Sequence, residues 1–238
     1  MKVLAALGIG LASQLSTAES SSAQGFQNPV TAIDIALEPD ATMIQHAEAV
    51  NARLLKVFPK GFALGATHHP HISILQRYIP TADLDKVYAA VGEVLANEKA
   101  AGWSLKAFKY YYIPWKDLGL AGIVVEPTDD LLKLQQKLID AVAPFTAAFG
   151  TAAAFVTTSE DPEINQPTID YVAAFVPKET GKNFNPHVTV GIASQDYLKK
   201  MLAEPFDVFT FSPAGASVYQ LGNYGTARKK LNAWEFKP

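Results

Sequence analysis

His71 and His187 are the residues of this sequence best placed to do chemistry, because each stands in the same local setting. Pro70-His71-Ile72-Ser73-Ile74 and Pro186-His187-Val188-Thr189-Val190 both put a Pro before the His and a β-branched, apolar run after it. Such a run predicts a strand, on which residues i and i+2 share a face. Each string therefore sets an imidazole beside a hydroxyl, Ser73 in the first and Thr189 in the second. An imidazole titrates near neutral pH, and a hydroxyl is a neutral hydrogen-bond donor. Two of each supply a base, an acid and donors for phosphate oxygens, which is what acid–base cleavage of a phosphodiester needs without a metal. Either His alone would read as a polar residue opening a strand; the duplication favours catalysis by His71 and His187, with Ser73 and Thr189 binding the phosphate.

Other residues offer less. Arg77 falls on the same expected strand face as His71 and Ser73 and could reach a phosphate or a base, or extend its stem over apolar surface with its head in water. Phe108, Tyr110 and Tyr112 alternate along another strand; Tyr112 could stack on a base, although a half-buried sheet face explains all three. His68, His69 and His71 offer a metal-binding alternative. Only His69 and His71 share a strand face, and no Asp, Glu or Cys stands nearby, so His68 and His69 read as exposed loop residues and no metal site is assigned. No Gly-rich phosphate loop, nucleophile elbow or metalloprotease motif is present, and no cofactor is implied.

The elements that must position these residues come as one unit repeated. The first has a strand from Thr31 to Glu38 and a helix from Asp40 to about Phe58. The first His strand follows, Pro70 to Tyr78, then a helix from Thr81 to about Ala96 and a strand from Trp103 to Ile113. The second unit runs through a strand from Leu120 to Glu126, a helix from Thr128 to Phe145 and the second His strand, Pro186 to Ile192. A short helix from Ser194 to Ala203 and strands near 208–211 and 216–221 complete it. The Glu38-Pro39 and Glu126-Pro127 turns are offset by 126 − 38 = 88 positions, and the two His by 187 − 71 = 116. The second unit thus carries an insertion of 116 − 88 = 28 residues, placed between Gly150 and Lys182. The expected fold is α+β: two pseudo-symmetric lobes, each an antiparallel sheet with covering helices, facing across a cleft within one domain.

At 238 residues and 49% hydrophobic content, the chain can bury one large core. Its formal net charge of −3, with no basic run longer than Arg228-Lys229-Lys230, argues against gripping long duplex nucleic acid. Residues 1–23 read as an export signal: Met1-Lys2, an apolar stretch from Val3 to Ala12, then small and polar residues with cleavage after Ala18 or Ala23. The globular domain is then 24–238, exported, with no membrane association after signal removal, and a monomer is expected. The absence of Cys is compatible with an oxidising compartment.

His71-Ile72-Ser73-Ile74, Asn185-Pro186-His187-Val188-Thr189-Val190-Gly191 and a closing strand ending Tyr219-Gln220-Leu221-Gly222 resemble the two-histidine (2H) phosphoesterase superfamily. Within it, the chain is most similar to the 2′,5′ RNA ligase-like and cyclic phosphodiesterase branch, over roughly Thr31 to Phe236. Ser73 departs from the commoner Thr, and the spacing between the motifs is long. The resemblance implies a substrate with a 2′,3′-cyclic phosphate end or a 2′,5′ linkage, borne by a small nucleotide or an RNA end. A binder of the same ligands without turnover is the rival expectation.

Overall fold

The computed structural model describes residues 29–237 apart from 66 and 160; the expected export signal lies outside the described residues. β1 (Val30–Pro39) is buried along almost its whole length and is an interior strand of the sheet. Asp40 ends it and caps α1 (Ala41–Val57), accepting from the backbone N–H groups of Thr42 and Met43 at 3.0 and 3.3 Å. β2 (Ile72–Pro80), α2 (Leu84–Ala96), β3 (Leu105–Trp115) and β4 (Leu118–Val125) follow. α3 (Asp129–Val142) is capped by Thr128, has Asp129 and Asp130 in its first turn, and buries the stripe Leu131, Leu134, Leu138 and Val142. The chain continues through α4 (Gln166–Glu179), β5 (His187–Ser194), α5 (Gln195–Leu202), β6 (Phe209–Phe211), β7 (Pro213–Leu221) and β8 (Ala227–Glu235).

The eight strands form one antiparallel sheet in the order β6-β3-β4-β5-β2-β1-β7-β8. It divides into matching halves, β2-β1-β7-β8 and β5-β4-β3-β6, joined by a single residue pair, Ile72 with Val188. The two lobes expected from the repeat are these halves, with one addition. The last strand of each unit crosses over: β3 pairs with β4 of the second unit, and β7 with β1 of the first. Neither unit completes its own half.

Apolar stripes of α1, α2, α3 and α5 pack on one sheet face, against Ile33, Ile35 and Leu37 of β1, Ile72 and Leu75 of β2, and Val188 and Val190 of β5. α4 lies on the other face of β2, where Tyr78 donates to the Ile169 carbonyl at 2.9 Å. This helix occupies the insertion, for which no helix was expected. Among the described residues, no helix is long and apolar enough to cross a membrane.

Candidate active site

The junction of the two halves brings the His motifs together. In an antiparallel ladder, pairing Ile72 with Val188 puts His71 opposite Thr189 and Ser73 opposite His187. An approximate two-fold axis thus passes between the motifs, and each imidazole meets the hydroxyl of the other. All four residues line one cleft of about 510 Å³.

The strands repeat one further device. β2 carries a bulge at Ile74, since Ala36 pairs with Ser73 but Ile35 with Leu75. β5 carries its counterpart at Val190, since Gly122 pairs with Thr189 but Ala121 with Gly191. A bulge releases a backbone carbonyl from the ladder, and in both strands a buried helix amide takes it. Gln135 of α3 donates to the Ile74 carbonyl at 3.0 Å, and Asn51 of α1 to the Val190 carbonyl at 2.9 Å. Each amide also holds a loop: the Gln135 oxygen accepts from Gly181 N–H, and the Asn51 oxygen from Leu64 N–H.

The bulges move the two weaker candidates. Alternation along β2 resets after Ile74, so Gln76, not Arg77, joins His71 and Ser73 on the cleft face. Arg77 is not among the cleft-lining residues, and burial pushes its guanidinium below its ordinary value. A register shift between Ala107 and Lys109 does the same in β3. Tyr112 packs over Gly119 beside Leu198 of α5, while Tyr111 and Ile113 face the cleft.

Both imidazoles are held the same way at Nδ1. His71 Nδ1 lies 2.6 Å from the His69 carbonyl, and His187 Nδ1 lies 2.7 Å from the Asn185 carbonyl. A carbonyl only accepts, so Nδ1 carries the hydrogen and Nε2 is the working nitrogen in each. At Nε2 the symmetry ends. His71 Nε2 stands 3.4 Å from Oδ2 of Asp34, a fully buried carboxylate on β1. That oxygen also receives the Ser73 hydroxyl in a short hydrogen bond and the Gln76 amide at 3.3 Å, while Asp34 Oδ1 is buried without a hydrogen-bond partner among the described residues.

These surroundings push the two rings apart. Desolvation lowers the pKa of His71, but the hydrogen bond and charge of Asp34, with the His69 carbonyl, outweigh it and leave it raised above 6.5. For His187 desolvation dominates; the Asn185 carbonyl opposes it, the charge of His71 adds to it, and the result is about 4. Tyr111 stands edge-on to the His187 ring at 4.7 Å. The hydroxyls differ too. Ser73 donates its hydrogen bond to Asp34, whereas Thr189 faces the cleft with no hydrogen bond to another described residue.

The cleft walls come largely from outside the motifs. α4 contributes Thr168, Tyr171, Phe175 and Glu179, and the β3–β4 hairpin contributes Trp115. Asn165, which caps α4 through Thr168 N–H at 2.9 Å, donates to Asn223 at 2.6 Å and so ties the helix to the turn Asn223–Gly225. In that turn Tyr224 adopts φ 59°, its N–H held by Thr168 Oγ1 at 3.0 Å, and its ring meets Trp115 at 5.0 Å. The His-rich loop does not converge. His68 is half-buried and stacks on Phe62, and His69 leans on Tyr219. Among the described residues no group of three His, Cys, Asp or Glu is placed to hold a metal.

Sequence reasoning missed Asp34, Gln76, Tyr111 and the α4 wall. Asp34 left a signal: it is the one charge inside the run Thr31–Leu37, and a carboxylate in a fully buried strand requires partners.

Two similar halves, joined where two His-x-Ser/Thr strands meet under a cleft, make up the two-lobed α+β fold that the sequence resemblance implies. Among solved structures, TT0787 of Thermus thermophilus shares this fold, with a TM-score of 0.52 and 16% identity over 87% of this chain and 98% of that one. E. coli LigT complexed with ATP aligns with a TM-score of 0.42 and 12% identity, covering 88% and 99% of the two chains. Kluyveromyces marxianus Usb1 aligns with a TM-score of 0.37 and 11% identity, covering 86% and 98%. No family model matches the sequence, and no curated protein matches it.

Proposed function

We propose that this chain is a phosphodiesterase of the two-histidine type, opening 2′,3′-cyclic phosphates or 2′,5′ linkages of nucleotides or RNA ends without a metal. The observation that carries this reading is the pairing of two His-hydroxyl motifs across one cleft, in surroundings that favour a charged His71 and a neutral His187. Groups driven apart in this way mark an acid and a base. His187 Nε2 takes a proton from water as the water oxygen bonds to phosphorus. The bond from phosphorus to the ribose oxygen breaks, and that oxygen takes the proton on His71 Nε2. Exchange with solvent then resets both rings. At 3.4 Å the hydrogen bond from His71 to Asp34 is a long one. It supports the charge on His71 without capturing the proton. Thr189 supplies a neutral donor to a non-bridging oxygen.

The hold of Asp34 on both His71 and Ser73 favours one second reading, a binder of the same ligands that does not turn them over. The deciding experiment offers the purified, chelator-treated protein a panel of cyclic nucleotides and 2′,5′-linked oligonucleotides and identifies products by mass. Ring-opened monophosphates support the enzyme; tight binding without product supports the binder; activity lost to chelation and restored by zinc defeats the metal-free mechanism. Export of the protein is part of the proposal and rests on residues 1–23 alone.

A further inference from the structure

We infer, resting on the phosphodiesterase reading above, that the cleft takes a phosphodiester bearing one negative charge and one planar, apolar group, and selects against ligands with a second phosphate. Three independent features of the cleft carry this.

The first is its cations. Among the described residues, no Lys or Arg lines the cleft. Arg228 and Lys230, on neighbouring β8, are held by Asp161 at 3.5 Å and Glu38 at 2.5 Å. Lys116 lies over the Trp115 ring at the hairpin tip, 5.3 Å from its centre. Recognition of a phosphate chain uses guanidinium forks, ammonium groups or free backbone N–H groups. A helix N-terminus would serve, but that of α4 is already used. Pro167 has no N–H, and those of Thr168 and Ile169 are given to Asn165.

The second is its anions. Asp34 lies beneath His71, and Glu179 stands on the α4 wall beside the aromatic rings. A ligand with one diester charge can set it against the charged His71. A second phosphate would lie among carboxylates and neutral rings with no counter-charge lining the cleft, and like charges brought together in a partly dry site repel strongly.

The third is its walls. Tyr111, Trp115, Tyr171, Phe175 and Phe184 surround the His pair. Rings of this kind stack on a nucleobase or another flat group through its π-face, without selecting which base it is. Away from the phosphate, the cleft therefore offers apolar ring faces and neutral hydrogen-bonding groups but no positive charge.

The test is a matched set of three substrates at low salt: adenosine 2′,3′-cyclic phosphate, the same compound with a 5′-phosphate, and ribose 2′,3′-cyclic phosphate without a base. Adding the 5′-phosphate should lower kcat/KM by about tenfold or more, and removing the base should raise KM by about tenfold. Glu179→Gln should narrow the gap between the first two compounds. Quenching of Trp115 fluorescence, identified by its loss in Trp115→Phe, reads binding of the same three compounds without turnover. Equal kcat/KM for the first two compounds overturns the inference while leaving the phosphodiesterase intact, and would direct attention to Lys116. Binding that discriminates as expected, with no product from any compound, leaves the inference standing and removes the enzyme reading. Neither binding nor turnover removes both.

Discussion

At His71 and His187 one side chain, held by the same Nδ1 hydrogen bond, is driven in opposite directions by what lies around Nε2. If both transfer protons, His71→Ala or His187→Ala should each lower turnover by roughly 10²–10⁴-fold in a well-folded protein. A variant of either with near-normal turnover would remove that residue from the mechanism. Thr189→Ala, which deletes an uncommitted donor, should cost more in kcat than Ser73→Ala, which deletes a donor already bonded to Asp34. The pH profile follows from the same asymmetry. His187 must be neutral, so kcat/KM should rise as pH passes its value of about 4. His71 must be protonated, so the rate should fall only above its raised value, on the alkaline side of 6.5. The two limbs belong to the interacting pair. Asp34→Asn removes the charge that offsets burial, so the alkaline limb should move to lower pH; a limb that stays put would separate Asp34 from the proton transfer. The two histidines and two hydroxyls were legible because spacing alone puts them on one strand face. Asp34 was not, because its role depends on β1 lying beside β2, and neighbouring strands are a tertiary fact.

The elements that hold these residues contain two bulges, and the bulges explain both what the sequence revealed and what it concealed. α1 and α3 were both expected as helices, and a buried amide interrupts the apolar stripe of each, Asn51 in α1 and Gln135 in α3, one turn apart when the helices are aligned at their caps Asp40 and Thr128. A buried amide in an apolar stripe must have a partner; here it is the carbonyl freed by each bulge. Gln135→Leu or Asn51→Leu leaves that carbonyl buried and unpaired, at a cost of about 1–3 kcal/mol. Each should lower the denaturation midpoint, and each should lower kcat by letting the adjacent hydroxyl, Ser73 or Thr189, drift. Chemical denaturation and steady-state kinetics check the two effects; unchanged stability would mean that the amides do not secure the bulges. A period-two reading cannot see a bulge, which is why Arg77 and Tyr112 were expected on faces they do not occupy. α4 was hidden differently: Pro167 and Pro177 sit at its ends, and its stripe is weak because one side faces the cleft. β8 reads as a basic run, since an edge strand is kept from pairing with other chains by lysines such as Lys229 and Lys230.

Over the whole molecule, the exchange of β3 and β7 interlocks the halves, and the cleft lies where they join. What this surface can bind depends on where its charge lies. The chain carries 20 basic and 23 acidic residues, and several basic side chains are already paired: Arg53 with Glu204, Lys106 with Glu126, Lys137 with Glu98, Lys230 with Glu38. A protein that grips a duplex neutralises many phosphates at once, and its affinity then falls by about 0.9 log unit per log unit of salt for each of them. With no Lys or Arg among the described residues lining the cleft and the longest basic run on an edge strand, binding here should rest on one phosphate and the aromatic walls. Hydrolysis of a cyclic mononucleotide should therefore depend only weakly on salt, and a duplex of about 20 base pairs should bind poorly at any ionic strength. Measuring KM for adenosine 2′,3′-cyclic phosphate and the affinity for such a duplex at two salt concentrations decides between the two modes. Tight duplex binding that collapses with added salt would mean that basic side chains scattered through the sequence assemble into a phosphate-tracking face, and that the cleft receives the end of a long strand instead of a small molecule.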